Sequence, residues 1–223
     1  MGVPAILSWS GGKDSALALR ALRAGNEFDV VALVTSVTQP YDRISIHGVR
    51  RSLLERQAER LGLPLYVIDL PAAATNAVYE AAFHAALARV RSDRADVRHI
   101  AFGDLFLEDV RAYRERLLAR TAFQPVFPIW SEDTSDLARR FIAEGFEARL
   151  VCVDTTQLDG AFAGRAFDTS LLDELPASTD PCGERGEFHT FVGASPDFDR
   201  PIPYTLGETV LRDGRFMYCD LLA

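Results

Sequence analysis

Short apolar runs alternate with amphipathic stretches along most of the chain. "AILSW" (5–9) and the almost wholly apolar "DVVALVTSV" (29–37) read as strands, the second buried on both faces. Between them Ala16, Leu17, Leu19 and Leu22 recur at helical spacing, which predicts a helix from Asp14 to Ala24. "VRRSLLERQAERLG" (49–62) is an amphipathic helix stopped by Gly62, with Pro64 just beyond. "PLYVIDL" (64–70) is a third strand, and Thr75 caps a helix running to about Val90. The alternation continues with a strand at "VRHIAFGDL" (97–105), broken at Gly103, and a helix at 107–121. A short proline-bounded strand, "QPVFPIW" (124–130), precedes a helix to Ala143 capped by Ser131 or Asp133, and "EARLVCVD" (147–154) is the next strand.

This rhythm predicts an α/β fold with a doubly wound, mostly parallel sheet, which binds ligands at the carboxyl ends of its strands. After Asp154 the rhythm fades into Gly, Pro, Asp and Thr, with one short helix at 168–175. "ETVLR", an Asp213-Gly214 turn and "RFMYCDL" read as a hairpin. The expected division is an α/β domain at 1–154 and a smaller C-terminal α+β region at 155–223.

Composition narrows the class. Of 223 residues, 48% are hydrophobic, enough for a substantial core. The 24 basic and 32 acidic residues give a net charge of -8, which argues against general binding to nucleic acid. Cys152, Cys182 and Cys219 include no CxxC pair, so neither a disulfide framework nor a cysteine zinc site is expected. "MGVPAILSW" lacks the basic region of a signal peptide, and no apolar run approaches the roughly 20 residues of a membrane span. A soluble cytoplasmic protein with no membrane partner is expected, and a homo-oligomer is an open expectation.

Candidate chemistry gathers first at "SGGKDS", Ser10 to Ser15. A helix start offers unpaired N–H groups and the positive end of the helix dipole, so strand, glycine loop and helix together make an anion site. Gly11 and Gly12 let the backbone approach closely, Ser10 and Ser15 offer hydroxyls, and Lys13, expected in a solvent-facing loop, adds a full charge. Asp14 makes sense beside a phosphate when Mg²⁺ accompanies a nucleotide. The plain alternative is a strand-to-helix turn capped by serine. The order is not that of a Walker A loop, which needs Ser or Thr directly after the lysine; here Asp14 follows Lys13. A second polar cluster is "DPCGERGEFHTFV" (180–192), where alternation puts Glu187 and His189 on one strand face and Phe188 and Thr190 on the other. Two carboxylates and an imidazole near glycines suit a cationic amine, ammonia or proton transfer; the alternative is an exposed polar loop entering a strand.

"SGGKDS" resembles the PP-loop of the ATP pyrophosphatases, which cleave ATP between its α- and β-phosphates and share an adenine-nucleotide α-hydrolase-like (HUP) fold. Together with "FGDLFLEDVRAYRERL" (102–117), "PVFPIW" (125–130) and "DPCGERGEFHTFV", in that order, it is similar to the diphthine–ammonia ligase family, also called the ATP-binding domain 4 family, over essentially the whole chain. In that family a carboxylate of diphthine, a modified histidine on elongation factor 2, is adenylated and ammonia displaces AMP. The chain looks like the short bacterial-type members, whose substrate is not diphthine.

The resemblance implies that Ser10, Gly11, Gly12, Lys13, Asp14 and Ser15 bind the pyrophosphate part of ATP, with Asp14 also holding Mg²⁺. Thr35 and Ser36, at the end of the second strand, are where this superfamily holds adenine, and Gly103 would let the backbone approach the α-phosphate. His47, Asp104, Glu184, Glu187, His189 and Thr190 are the candidates for the acceptor side, where a small-molecule or protein carboxylate meets ammonia or an amine. Lys13, Asp14 and Glu187 are the expected catalytic groups. A lone histidine such as His47 is more often structural, and the strand-end pair Gly103-Asp104 equally suits a plain turn with a helix cap. Arg111, Arg114 and Arg116 suit either an anionic ligand or surface ion pairs, and Cys182 is a weak candidate nucleophile. A sulfur-transfer or RNA-modifying PP-loop enzyme, and a non-enzymatic ATP-binding protein, are the alternatives.

Overall fold

A computed structural model describes residues 2–223. Five strands run parallel: β1 (Val3–Ser8), β2 (Phe28–Thr38), β4 (Leu65–Leu70), β5 (His99–Ala101) and β6 (Gln124–Val126). Their spatial order is β4-β2-β1-β5-β6. The chain winds outward from β1 on one side, then crosses back to β5 on the other, so the topological switch point lies between β1 and β5. A two-residue strand, β3 (Arg43–Ile44), pairs antiparallel with Val37 and Thr38 of β2. Those β2 residues also pair with β4, so β3 occupies the edge of β2 that β1 vacates after Ser8. The turn that follows β3 thus overhangs the end of β1.

The helices connect these strands: α1 (Lys13–Gly25), α2 (Arg51–Leu61), α3 (Asn76–Asp93), α4 (Glu108–Leu118) and α5 (Thr134–Ala143). Asp133, not Ser131, caps α5, its carboxylate accepting from the backbone N–H groups of Ser135 and Asp136. Thr75 caps α3 as expected, and α2 stops at Gly62 in the left-handed region. The fourth and fifth parallel strands are shorter than their apolar runs suggested: β5 ends at Ala101, and the chain turns after Val126.

The strand β7 (Glu147–Asp154) departs from the expected arrangement. It does not extend the parallel sheet. It pairs antiparallel with β8 (Phe188–Ala194) and β10 (Phe216–Leu222), and β9 (Thr205–Arg212) completes a second sheet in the order β8-β7-β10-β9. The second sheet therefore begins at Glu147, while the apolar run of β7 alone fits either sheet. The β9–β10 hairpin turns through Asp213 and Gly214, both at positive φ, as an Asp-Gly turn demands. A short helix, α6 (Thr169–Glu174), lies in the connection before β8.

The two sheets share one core. Leu17, Leu19 and Leu22 of α1 belong to the same buried cluster as Leu150 and Val153 of β7 and Phe188, Phe191 and Val192 of β8. A second cluster covers the other face of the parallel sheet, joining Ile6, Val34 and Ile68 to Phe83, Leu87 and Val90 of α3. Each fully buried Leu or Phe contributes about 1.5–3 kcal/mol, so the contact between α1 and β8 is a major tie between the sheets.

Candidate functional site

The loop between β1 and α1 is built by close approach. Trp9 N still donates to Val34 O at 2.8 Å, and the chain then turns at Gly11, where φ is +75°. A Cβ on Gly11 would lie 2.5 Å from Gln57 Oε1. Gln57, on α2, is fully buried; it donates to Gly11 O (2.9 Å) and Val192 O (2.8 Å) and accepts from Trp9 Nε1 (2.9 Å). One amide thus joins the loop, α2 and the second sheet. Sequence reasoning missed this residue, although the signal was present: Gln57 interrupts the apolar face of α2 made by Leu53, Leu54, Ala58 and Leu61.

Gly12 caps α1 with extended backbone, and a Cβ there would stand 3.0 Å from Thr190 O and 3.2 Å from His47 Cε1. Ser10 and Ser15 hydroxyls lie 3.2 Å apart, and Ser15 Oγ donates to Gly12 O at 2.9 Å. Lys13 N donates to Thr190 Oγ1 at 3.0 Å, across 177 residues of chain.

Lys13 itself corrects the expectation of a solvent-facing side chain. It is only 2% exposed, and its ammonium lies 5.5 Å from the centre of the Phe188 ring and 6.0 Å from that of Phe167. Nζ donates to both carboxylate oxygens of Asp14, at 2.8 and 3.0 Å. Both rings come from the C-terminal region, whose packing on the loop no local pattern announces. Burial pulls the ammonium's pKa down, but Asp14 above all, with Cys182 and Glu184, offsets this and holds it above the ordinary lysine value.

Gly103 sits against α1. Its absent Cβ would stand 2.8 Å from the Asp14 carbonyl and 3.0 Å from Ser15 N, so only glycine lets β5's exit pass beside the first turn of α1. Asp104 accepts from Arg114 Nε at 3.2 Å. Arg111 stacks over Phe127 and Trp130 and pairs with Glu115, in keeping with a surface role.

The 180–190 segment does come to the loop, but its side chains play unequal parts. Asp180 accepts from Cys182 N (2.8 Å) and Thr134 Oγ1 (2.9 Å), shaping its own turn. Glu187, expected to face an acceptor, is 1% exposed, and its Oε1 accepts from Asp180 N at 2.8 Å. Glu184 Oε1 accepts from Leu105 N at 2.9 Å, tying the segment to the exit of β5. Burial pushes the Glu184 carboxyl up to about 7, with the Asp14 and Asp104 charges adding to the rise. Cys182 is a buried thiol donating toward Thr134 O, and burial raises it to about 12, so it is not a thiolate near neutrality.

His189 and His47 stack with ring centres 4.5 Å apart and planes 35° from parallel. His47 Nδ1 lies 3.4 Å from Thr190 O, which can only accept, so Nδ1 carries the hydrogen. Burial lowers His47 to about 4 and takes His189 well below its ordinary value; the Lys13 charge adds to both. Both imidazoles are neutral at pH 7.

A cavity of about 580 Å³ opens at the carboxyl ends of β1, β2 and β4. Ser10, Thr35, Ser36 and His47 line it, with apolar walls from Ile68, Leu70 and Phe83 and with Arg114 at one side. Its size and its mix of apolar walls with few polar groups suit a small organic ligand. A second hollow of about 480 Å³, against β9 and Arg149, contains none of the predicted site residues.

A glycine loop opening a helix at the switch point of a parallel sheet, next to such a cavity, defines a nucleotide-binding type of α/β protein. The chain belongs to the diphthamide synthase family: residues 3–125 match its N-terminal domain and residues 133–210 its C-terminal domain. It is 25% identical over 230 residues to the diphthine–ammonia ligase of Rattus norvegicus and 26% identical to that of Homo sapiens. Each alignment spans 95% of this chain and 85% of the relative. The diphthine–ammonia ligase of Schizosaccharomyces pombe is 25% identical over 219 residues, which make up only 36% of that longer protein. The protein is therefore an enzyme of the ligase class. Among the described residues no helix is long and apolar enough to cross a membrane.

Proposed function

We propose that the protein is an amide ligase that converts ATP to AMP and pyrophosphate. A substrate carboxylate oxygen attacks the α-phosphorus; the bond to the bridging oxygen of the β-phosphate breaks, and pyrophosphate leaves. Ammonia or an amine then attacks the acyl carbon, the carbon–oxygen bond to AMP breaks, and the nitrogen loses a proton. The relatives, by name, join ammonia to diphthine, so an acceptor with a free carboxylate and ammonia as donor are the first choices for this chain.

The observation that carries this reading is the hydrogen bond from Lys13 N to Thr190 Oγ1, because it makes the glycine loop and the 180–190 segment one site. In this reading the Ser10–Ser15 loop holds the pyrophosphate portion, and the cavity bordered by Thr35 and Ser36 takes the nucleoside. Lys13 stabilises charge gathering on the leaving group, the usual electrostatic role in such chemistry. Glu184, Asp104 and the neutral His47–His189 pair border the acceptor side, and Glu187 supports the Asp180 turn.

Among the described residues no three His, Cys, Asp or Glu side chains form a ready-made metal cage. Mg²⁺ commonly needs only one or two carboxylates besides phosphate oxygens and water, and Asp14 fits that demand once Lys13 turns to the phosphates. An ion held there would neutralise phosphate charge.

Chromatography of the products of ATP, ammonium and candidate carboxylates, with diphthine-bearing elongation factor 2 among them, tests the reading. AMP and pyrophosphate formed only with an acceptor are expected. ADP and phosphate as main products would overturn it.

A further inference from the structure

The turn after β3, Ser45 to Gly48, forms one wall of the cavity through Ser45, Ile46 and His47. Its backbone is unusual. Ile46 and Gly48 both have positive φ, 70° and 71°, and Ile46 is 68% exposed at the cavity's edge. A β-branched residue keeps such a conformation only when its surroundings hold it there.

The inner hold is the contact of His47 with His189 and Thr190 O. On the outer side β2 and β3 hold the ends of the turn, Ser45 N donating to Ser36 O at 3.1 Å and Gly48 N to Ile44 O at 3.0 Å, and β10 adds a brace from the C-terminal sheet. The edge of the Tyr218 ring lies against Gly48, where a Cβ would meet ring carbons at 2.7 Å, and its hydroxyl donates to Ile46 O at 3.2 Å. Asp220 accepts from Arg43 Nη1 (2.8 Å), in β3, and from Arg50 Nε (3.1 Å) and Nη2 (2.6 Å), at the start of α2. Arg43 Nη1 also donates to Gly48 O at 2.7 Å. One carboxylate therefore pins both ends of the turn, and one tyrosine pins its middle.

We infer that Asp220 and Tyr218 are positioning residues: β10 braces the Ser45–Gly48 turn in the conformation that closes the nucleotide cavity, and so sets affinity for ATP without touching it. The affinity half of this rests on the assignment of that cavity to ATP. Loss of the brace lets the turn sample open conformations, and apparent affinity falls by the fraction of molecules still closed. Saturating ATP restores the closed turn, so turnover at saturation is preserved.

The test is Asp220→Asn, with Tyr218→Phe as a milder variant that keeps the ring on Gly48. Amide hydrogen exchange at residues 45–48 reads the brace without ATP; calorimetry reads the ATP Kd; AMP formation separates KM from kcat. Asp220→Asn should speed exchange in the turn and raise Kd and KM about tenfold, corresponding to a closed fraction near one tenth, with kcat within about twofold of wild type. Tyr218→Phe should act in the same direction by about two- to threefold. Unchanged exchange in Asp220→Asn overturns the brace, and faster exchange with unchanged Kd overturns its link to affinity. A fall in kcat with Kd unchanged would place the effect on chemistry and overturn the inference. Wild-type protein that does not bind ATP overturns the cavity assignment and the affinity half together, while exchange still decides the brace.

Discussion

The Ser10–Ser15 loop and the 180–190 segment are both crowded with polar side chains, and they spend them differently. In the loop, among the described residues, the Lys13 ammonium hydrogen-bonds to Asp14 alone, and in the proposed reading the pair separates when a phosphate offers a better partner. In the segment most groups already satisfy backbone donors, Asp180 those of Cys182, Glu187 that of Asp180, Glu184 that of Leu105. Thr190 does the same for the loop itself. Polar density alone does not mark a reacting group. What distinguishes one is a charge whose partner is exchangeable.

The largest expected effect comes from the exchangeable side. Lys13→Ala should reduce AMP formation by about 10²–10³, the usual cost of deleting a group that stabilises transition-state charge. A product assay at wild-type rate would dissolve the contrast and remove the phosphate assignment.

Next come the supports. Gln57→Leu leaves Trp9 Nε1 without its partner and also removes a donor from Val192 O and one of the two donors to Gly11 O, which keeps Val192 N, whereas Thr190→Val strips one partner from Lys13 N. Each buried polar group left unpaired costs about 1–3 kcal/mol, so urea denaturation should rank Gln57→Leu as the more damaging. If Thr190→Val instead kept full stability and lost turnover, Thr190 would belong with the reacting groups.

The pH dependence should be opposite in sign at the two histidine and glutamate positions. The Glu184 carboxyl is raised from 4.5 to about 7, so the folded protein holds that proton longer than the unfolded chain. Its contribution to stability is full below about pH 4.5 and lost as pH rises through about 7. His47 is lowered from 6.5 to about 4, so its contribution is present above pH 6.5 and lost as pH falls through about 4. Denaturation of wild type, Glu184→Gln and His47→Gln between pH 4 and 8 should show wild type losing ground to the first variant, and gaining on the second, as pH rises. Parallel curves would remove both groups from the list of buried titrating sites.

Smallest of all is Cys182. A thiol raised to about 12 is a poor nucleophile. Cys182→Ala should retain AMP formation within about twofold, since surrounding polar groups keep their own partners; near-complete loss would revive it as a reacting group.

The parallel sheet was legible because each strand and helix obeys its own period, and the glycine loop because its residues are contiguous. Three things were not. β7 carries an apolar run that suits either sheet, and only the remote strands β8 and β10 decide between them. The burial of Lys13 depends on Phe167 and Phe188, far along the chain. The role of Glu187 depends on which backbone N–H its carboxylate meets, a matter of turn geometry inside the 180–187 segment. Local periodicity reports elements; it is silent on which distant surface covers them.

The bond between Lys13 and Thr190 also sets a timetable. The threonine that caps the loop is the 177th residue that a ribosome adds after Lys13. Through that interval the nascent chain carries α1 with only part of its leucine face covered, by β2 and α2, because Phe188, Phe191 and Val192 have not yet been made. Such non-local closure is slow and leaves apolar surface exposed meanwhile. A chain stalled or clipped before β8 would present an unfinished, adhesive face in place of a weakened enzyme, so quality control by chaperones and proteases would act on it well before any question of turnover arose.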